Sequence, residues 1–201
     1  LAVCAYKIVK KSPAHSAFIQ CMKAGVLYTF IGLLAVMGTG HLHAQYLAQA
    51  QPMKLSSMEA LWETADPAPF AIVADINTEK KQNDMEIAVP GVFSFMLYNK
   101  PFGEVKGINE LQKASSEQYG PGSYIPDVKG LFWSFRIMIA AGGAMLLLVL
   151  LTGFLLWKEK LVRCKLLLRI FPLLLPLPFI ANSVGWYIAE AGRQPWIVVG
   201  L

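Results

Sequence analysis

The apolar positions of this chain gather into three long blocks, parted by one long polar region and one short basic one. The first block runs from about Ala17 to Gly40, with Lys23 near its start, where a lysine stem can lie in apolar surroundings while its ammonium reaches water. The second, Leu131 to Trp157, contains IMIAAGGAMLLLVLLTGFLLW, 21 residues without a charge. That is about 32 Å of helix, enough for a bilayer core. The third, Leu166 to Ala189, is interrupted by Pro172, Pro176 and Pro178, which membrane helices tolerate when neighbours satisfy the freed carbonyls. The pattern predicts an all-α membrane protein, a transmembrane helix bundle with spans at 17–40, 131–157 and 166–189 and a long loop at 41–130. Within the loop, Pro52 suits a first helical turn and SSMEALWE favours helix. TADPAPFAIVADI reads as a Pro-broken apolar stretch, EKKQND as a charged turn, and NKPFGEVKGI and YGPGSYIP as irregular chain.

Charge gives these spans a direction. Lys7, Lys10 and Lys11 precede the first span, and Lys158, Lys160, Arg163, Lys165 and Arg169 lie between or just inside the second and third. Both clusters are expected on the cytoplasmic side, which makes 158–165 a cytoplasmic loop. The loop 41–130 is then external and periplasmic, with 190–201 at the same face. That loop holds seven lysines against eleven of the thirteen acids, so the overall charge of +5 does not lie there and nucleic acid is not expected as a partner. Composition agrees with the membrane class: 55% of residues are hydrophobic, 15% are charged, and mean hydropathy is +0.47. The chain starts at Leu1 with a short apolar LAVCAY and stops at VVGL. Residues 1–16 therefore read as the end of a truncated span plus a cytoplasmic loop, and the whole as an internal piece of a longer protein. Cys4, Cys21 and Cys164 show neither CxxC spacing nor a disulfide framework.

The expected topology brings three unusual stretches to one membrane face: QPMKLSSMEALWET, FWSFRIM and GWYIAEAGRQPW. In the last, Trp186, Glu190 and Arg193 share a helical face. Glu190 reads either as half of a helix-end ion pair with Arg193 or as a proton relay, ion site or metal ligand. An aromatic ring, a carboxylate and a guanidinium together suit a flat, anionic, metal-centred cofactor. Met138 reads as a gap filler or a thioether ligand, and Arg136 as an uncompensated charge at the membrane edge whose side chain curls to the surface. Lys54 and Glu59, five apart, read as ordinary solvated loop charges. A helix laid at the interface with Met53, Met58 and Trp62 could cover the headgroup region. His41 and His43 lack a third ligand and stay unassigned. One functional class left open by these residues is a proton- or ion-coupled transporter using Glu190 and the broken third span.

Together the three stretches, in order, resemble subunit I of the cytochrome bd-type quinol oxidases. GWYIAEAGRQPW matches that family's GW-x-x-AE-x-GRQPW signature, FWSFRIM its F-x-FRIM segment, and QPMKLSSMEALWET the K-x-x-x-x-E-x-x-WET start of its quinol-binding loop. The resemblance implies that Met138 is an axial ligand of a low-spin heme b and that Arg136 stabilises that heme when reduced. It implies that Glu190 ligates iron in a centre of high-spin heme b and heme d, with Trp186 between hemes and Arg193 on propionates. Lys54 and Glu59 correspond to residues of quinol oxidation. The implied protein is a quinol:oxygen oxidoreductase of the bacterial inner membrane, taking ubiquinol or menaquinol and working with a subunit II and small accessory subunits. The remaining heme ligands would lie outside this stretch, so the 201 residues alone are expected to be inactive. The stretch between WET and FWSFRIM is short, and GHLHAQYL lacks an acid that many relatives carry there.

Overall fold

A computed structural model describes residues 1–10 and 12–195. Lys11 of the first basic cluster and Trp196 of GRQPW lie outside the described residues. The described residues form two compact units, one drawn from 1–38 and 138–182 and the other from 39–137 and 183–195.

The first unit is helical. It contains α1 (Ala2–Val9), most of α2 (His15–Ala50), the greater part of α6 (Val128–Trp157), α7 (Lys165–Leu173) and the start of α8 (Leu177–Ala191). Its core joins Ala5 and Ile8 of α1, Met22 and Val26 of α2, Val149 of α6, and Leu168 and Phe171 of α7. Hydroxyls inside the apolar helices bond their own backbone, Thr29 Oγ1 to the Gly25 carbonyl at 2.7 Å and Thr152 Oγ1 to that of Leu148 at 2.6 Å, so neither is left unsatisfied in an apolar setting. Leu27, Ile31, Leu34, Leu147, Leu150 and Phe154 are exposed, the opposite of a water-soluble bundle and the expected face of helices that meet lipid or another subunit. By length and composition α2 and α6 can each cross a membrane, and up to three spans result if α7 and α8 count as one bent by 41°. The break between them, 174–176, ends on Pro176, whose missing N–H and ring cannot continue the helical ladder of α7.

The second unit has a different texture. It adds α3 (Pro52–Glu59), a hairpin of β1 (Phe70–Asn77) and β2 (Gln82–Val89), α4 (Val92–Tyr98) and α5 (Ile108–Tyr119). The strands are antiparallel, and register shifts interrupt their pairing between Ala71 and Val73 and between Asp75 and Ile76. The stretch taken from sequence as Pro-broken is therefore a strand, begun one residue after Pro69. EKKQND spans the hairpin turn and the start of β2, with Lys81 at φ 53° and the Lys80 amide donating to Asn77 Oδ1 at 3.1 Å. Ala71, Ala74 and Ile76 of β1 pack with Trp62, Ile108, Val128 and Phe132, while Leu47, Leu55, Phe93 and Leu97 form a second cluster. Among the described residues, the otherwise helical chain thus carries one small sheet that its apolar pattern did not announce.

Helix α3 begins at Pro52 as expected but stops at Glu59. Ala60 takes the left-handed conformation at φ 51°, and the Leu61 amide reaches back to the Ser56 carbonyl at 3.0 Å, a Schellman ending. The stop turns Trp62 inward, to 5% exposure, with its indole N–H donating to Asn83 Oδ1 of β2 at 3.0 Å. Met58 is buried as well. The expected interfacial helix presenting Met58 and Trp62 outward does not form, because this unit has its own core to fill.

Candidate functional site

Two residues read from the sequence as solvated charges are the most enclosed charges of the second unit. Glu59 is 3% exposed and Lys54 7%. Both lie on α3, one in its first turn and one at its end, and they enter different environments.

Glu59 meets Arg136. The guanidinium donates from Nη1 to Oε1 at 3.0 Å and from Nη2 to Oε2 at 2.7 Å, a two-pronged ion pair. Arg136 Nε donates to the Ala71 carbonyl of β1 at 2.8 Å, Nη2 donates to the same oxygen, and Nη1 donates to the Met58 carbonyl at 3.1 Å. A guanidinium has five N–H groups, and five are used. Its carbon lies 4.0 Å from the Phe132 ring centre and 4.5 Å from that of Phe70, within range for cation–π attraction. The idea that Arg136 is uncompensated and curls to the surface is therefore corrected: it is 9% exposed and fully bonded inside the unit. Burial pushes the Glu59 carboxyl up to about 7, against the pull of Arg136 and a backbone hydrogen bond from Ala71. Such a group takes up or gives off a proton near neutral pH.

Lys54 faces the other way. Its Nζ donates to the Ala189 carbonyl of α8 at 3.3 Å. Burial lowers its proton affinity, the positive charge of Arg193 lowers it further, and Glu190 opposes both. The fold thus gathers three residues of two separate motifs: Lys54, Glu190 and Arg193. Gly192 makes the approach close, since a methyl group there would sit 2.7 Å from three methylene carbons of Lys54. Lys54 and Arg193 open on a cavity of about 410 Å³, walled by the first turn of α3, by Ser115, Gln118 and Tyr119 of α5, and by Tyr124. Apolar and hydrogen-bonding walls in that mixture suit a small ring-bearing polar molecule.

Glu190 and Trp186 stand one turn apart on α8, both exposed, and their side chains make no hydrogen bond or ion pair among the described residues. The ion pair weighed for Glu190 and Arg193 is not formed; their link is a backbone one, Arg193 N–H to the Glu190 carbonyl at 3.2 Å. Met138, two residues beyond Arg136 on α6, is half-buried. His41 bonds Asn99 Oδ1 at 2.9 Å and Gln45 at 3.1 Å, ordinary polar contacts. Asn83 escaped the sequence reading: besides accepting from Trp62, its amide donates to the Ala60 carbonyl at 3.1 Å and to Glu86 at 2.8 Å. It ties β2 to the residue next to Glu59, and no short motif marks it.

A family model described as cytochrome bd terminal oxidase subunit I matches residues 1–201. The chain belongs to that family. It is 43% identical over 203 residues to the cytochrome bd ubiquinol oxidase subunit 1 of Bacillus subtilis (strain 168), covering 99% of this chain and 42% of that protein. The cytochrome bd-II ubiquinol oxidase subunit 1 of Escherichia coli (strain K12) is 27% identical over 237 residues, covering 88% and 46%. The solved bd oxidase from Geobacillus thermodenitrificans superposes with TM-score 0.70 at 25% identity, over 98% of this chain and 43% of that one. The chain therefore spans less than half the length of these bd oxidase subunits.

Proposed function

We propose that this chain is the part of a quinol-oxidising terminal oxidase subunit that binds the quinol and contributes some of the heme ligands. The observation carrying this reading is the cavity shared by Lys54 and Arg193, in a chain of this family. The protein would lie in the bacterial inner membrane with residues 41–130 at the periplasmic face. Its partners would be a subunit II and small accessory subunits, and its substrate ubiquinol or menaquinol.

In this reading Lys54 is the substrate contact. Its ammonium, already drawn to the cavity wall by the Ala189 carbonyl, donates to a quinol oxygen, and Ser115 and Gln118 offer further polar partners on the opposite element. Glu59 does not line this cavity. Its carboxyl is held by Arg136 and titrates near neutral pH, so its part in quinol oxidation is to take up a proton released on oxidation and pass it outward, which a group poised near working pH does best.

The donor set fits hemes. The candidate ligands are single side chains, a thioether at Met138 and an unpaired carboxylate at Glu190 beside an exposed indole, a donor set that would suit heme iron better than a cage for a bare ion. Met138 would hold a low-spin heme b, Glu190 would ligate iron in a centre of high-spin heme b and heme d, and Trp186 and Arg193 would contact these groups. When bound, the hemes supply the electron path and the reduction of oxygen to water. Glu190 would supply negative charge against ferric iron. Arg136 would act on the reduced heme only through its field, because all five of its donors are taken.

The test is Lys54→Met in the full-length purified complex. The expected result is a KM for quinol raised at least tenfold with a smaller change in kcat, and a pyridine hemochrome spectrum like that of the parent. An unchanged KM sinks the assignment of the cavity. A colourless parent protein without heme iron would return the transporter reading.

A further inference from the structure

The hydrogen bonds around Arg136 use up the rim of its guanidinium, and three phenyl rings crowd it, Phe132 and Phe70 closest and Phe135 at 5.4 Å. Phe132 is fully buried in the core of the unit. Phe70 is only half-buried, at the first position of β1, one residue before the Ala71 carbonyl that accepts from Arg136 Nε. The same strand thus presents a carbonyl to the edge of the guanidinium and a ring centred 4.5 Å from its carbon. We propose that Phe70 is a positioning residue for the Glu59–Arg136 pair, the side chain that keeps water away from it.

The consequence is chemical. Among the described residues Arg136 is the one charge that acts on Glu59 to a resolved extent, and it favours the ionised carboxylate; dryness alone pushes the other way and prevails. Of the other charged groups on the elements packed around it, Glu86 of β2 bonds Asn83, Asp84 of β2 bonds Asn77 and Gln82, Lys54 of α3 sits with Arg193 and Glu190, and Asp75 of β1 and Lys129 of α6 are exposed. A side chain that admits water at position 70 therefore acts on the dominant influence. Removing the ring lowers the proton affinity of Glu59 and leaves its partner in place. The role in turnover rests on Glu59 being the proton acceptor proposed above, whereas the titration itself does not.

The experiment is an infrared difference titration of the full-length complex. The Glu59 carboxyl band is identified by its loss in Glu59→Gln, and its midpoint is followed in Phe70→Leu, Phe70→Val and Phe70→Ala. Leucine still excludes water and should leave the midpoint near that of the parent. Alanine should lower it by about one unit or more, toward the ordinary carboxylate value, with valine between, and the pH profile of kcat should move in parallel. A parental midpoint in a folded Phe70→Ala complex overturns the proposal, as does a Phe70→Leu midpoint displaced as far as that of alanine. If the alanine variant does not assemble, the order of valine and leucine decides by the same criterion. Turnover by Glu59→Gln at the parental rate would overturn the proton-acceptor reading and leave this titration standing.

Discussion

Replacing Arg136 by methionine, in the full-length complex, tests whether the Glu59–Arg136 pair is the electrostatic keystone of the second unit. The change keeps the length and apolar stem of the side chain and deletes five hydrogen bonds. Removing one partner of a buried ion pair costs about 3–5 kcal/mol, whereas replacing both by apolar groups is often neutral or stabilising. Arg136→Met with Glu59→Leu should therefore recover most of what Arg136→Met alone loses, short of about 1–3 kcal/mol for each backbone carbonyl left unsatisfied at Met58 or Ala71. The pH dependence sharpens the test. The folded-state value of Glu59 is raised, from an ordinary 4.5 to about 7, so the folded state holds its proton more firmly than the unfolded one. The resulting stability is fully present below about pH 4.5 and is lost as pH rises toward 7, by about 1.4 kcal/mol per unit. In the parent this loss levels off above about pH 7. Without Arg136 the folded-state value rises further, so the loss continues, and the gap between variant and parent widens by about 1.4 kcal/mol per unit above pH 7. The assay is the apparent unfolding midpoint of the purified complex in detergent at pH 6, 7 and 8. A gap that stays constant over that range, or a double variant no more stable than the single one, refutes the reasoning.

Met138→Leu should remove the low-spin heme b absorbance, read in a reduced-minus-oxidised spectrum, and an unaltered spectrum would discharge Met138 as a ligand. Glu190→Ala should perturb the high-spin heme b and heme d bands and depress oxygen consumption; persistence of both would leave Glu190 an exposed helix-end acid. Gly192→Ala places a methyl group against the Lys54 stem and should raise the KM for quinol several-fold, roughly 1 kcal/mol of lost binding, with heme content unchanged. Asn83→Ala leaves the Trp62 indole N–H and the Ala60 carbonyl without their partner, a cost of about 1–3 kcal/mol that a lowered unfolding midpoint should report.

Much of the second unit could not be read from local pattern. FAIVADIN alternates poorly and follows two prolines, so it did not announce a strand; its pairing with QNDMEIAV is decided by Trp62, Ile108 and Phe132, which cover its inner residues. Helix α3 ends at Glu59 although ALWE favours helix, because Trp62 gains a buried site and a hydrogen bond by leaving it. Spacing also misdirected the charges. Lys54 and Glu59 look solvated because nothing within four residues opposes them, while their real partners, Ala189 and Arg136, lie far along the chain.

The sequence by itself determined the membrane class, since uncharged blocks longer than twenty residues leave a backbone few choices in lipid or in water. It also pointed to the family, through three spaced motifs of charged and aromatic residues that stand in order along the chain. Only the tertiary structure decided what those residues do to one another. It turned Arg136 from a stranded charge into the saturated partner of Glu59, and brought Lys54 beside Glu190 and Arg193 at a cavity. The physical reason is that proton affinity and ion pairing depend on burial and on partners within a few ångströms, and neither is encoded in spacing along the chain.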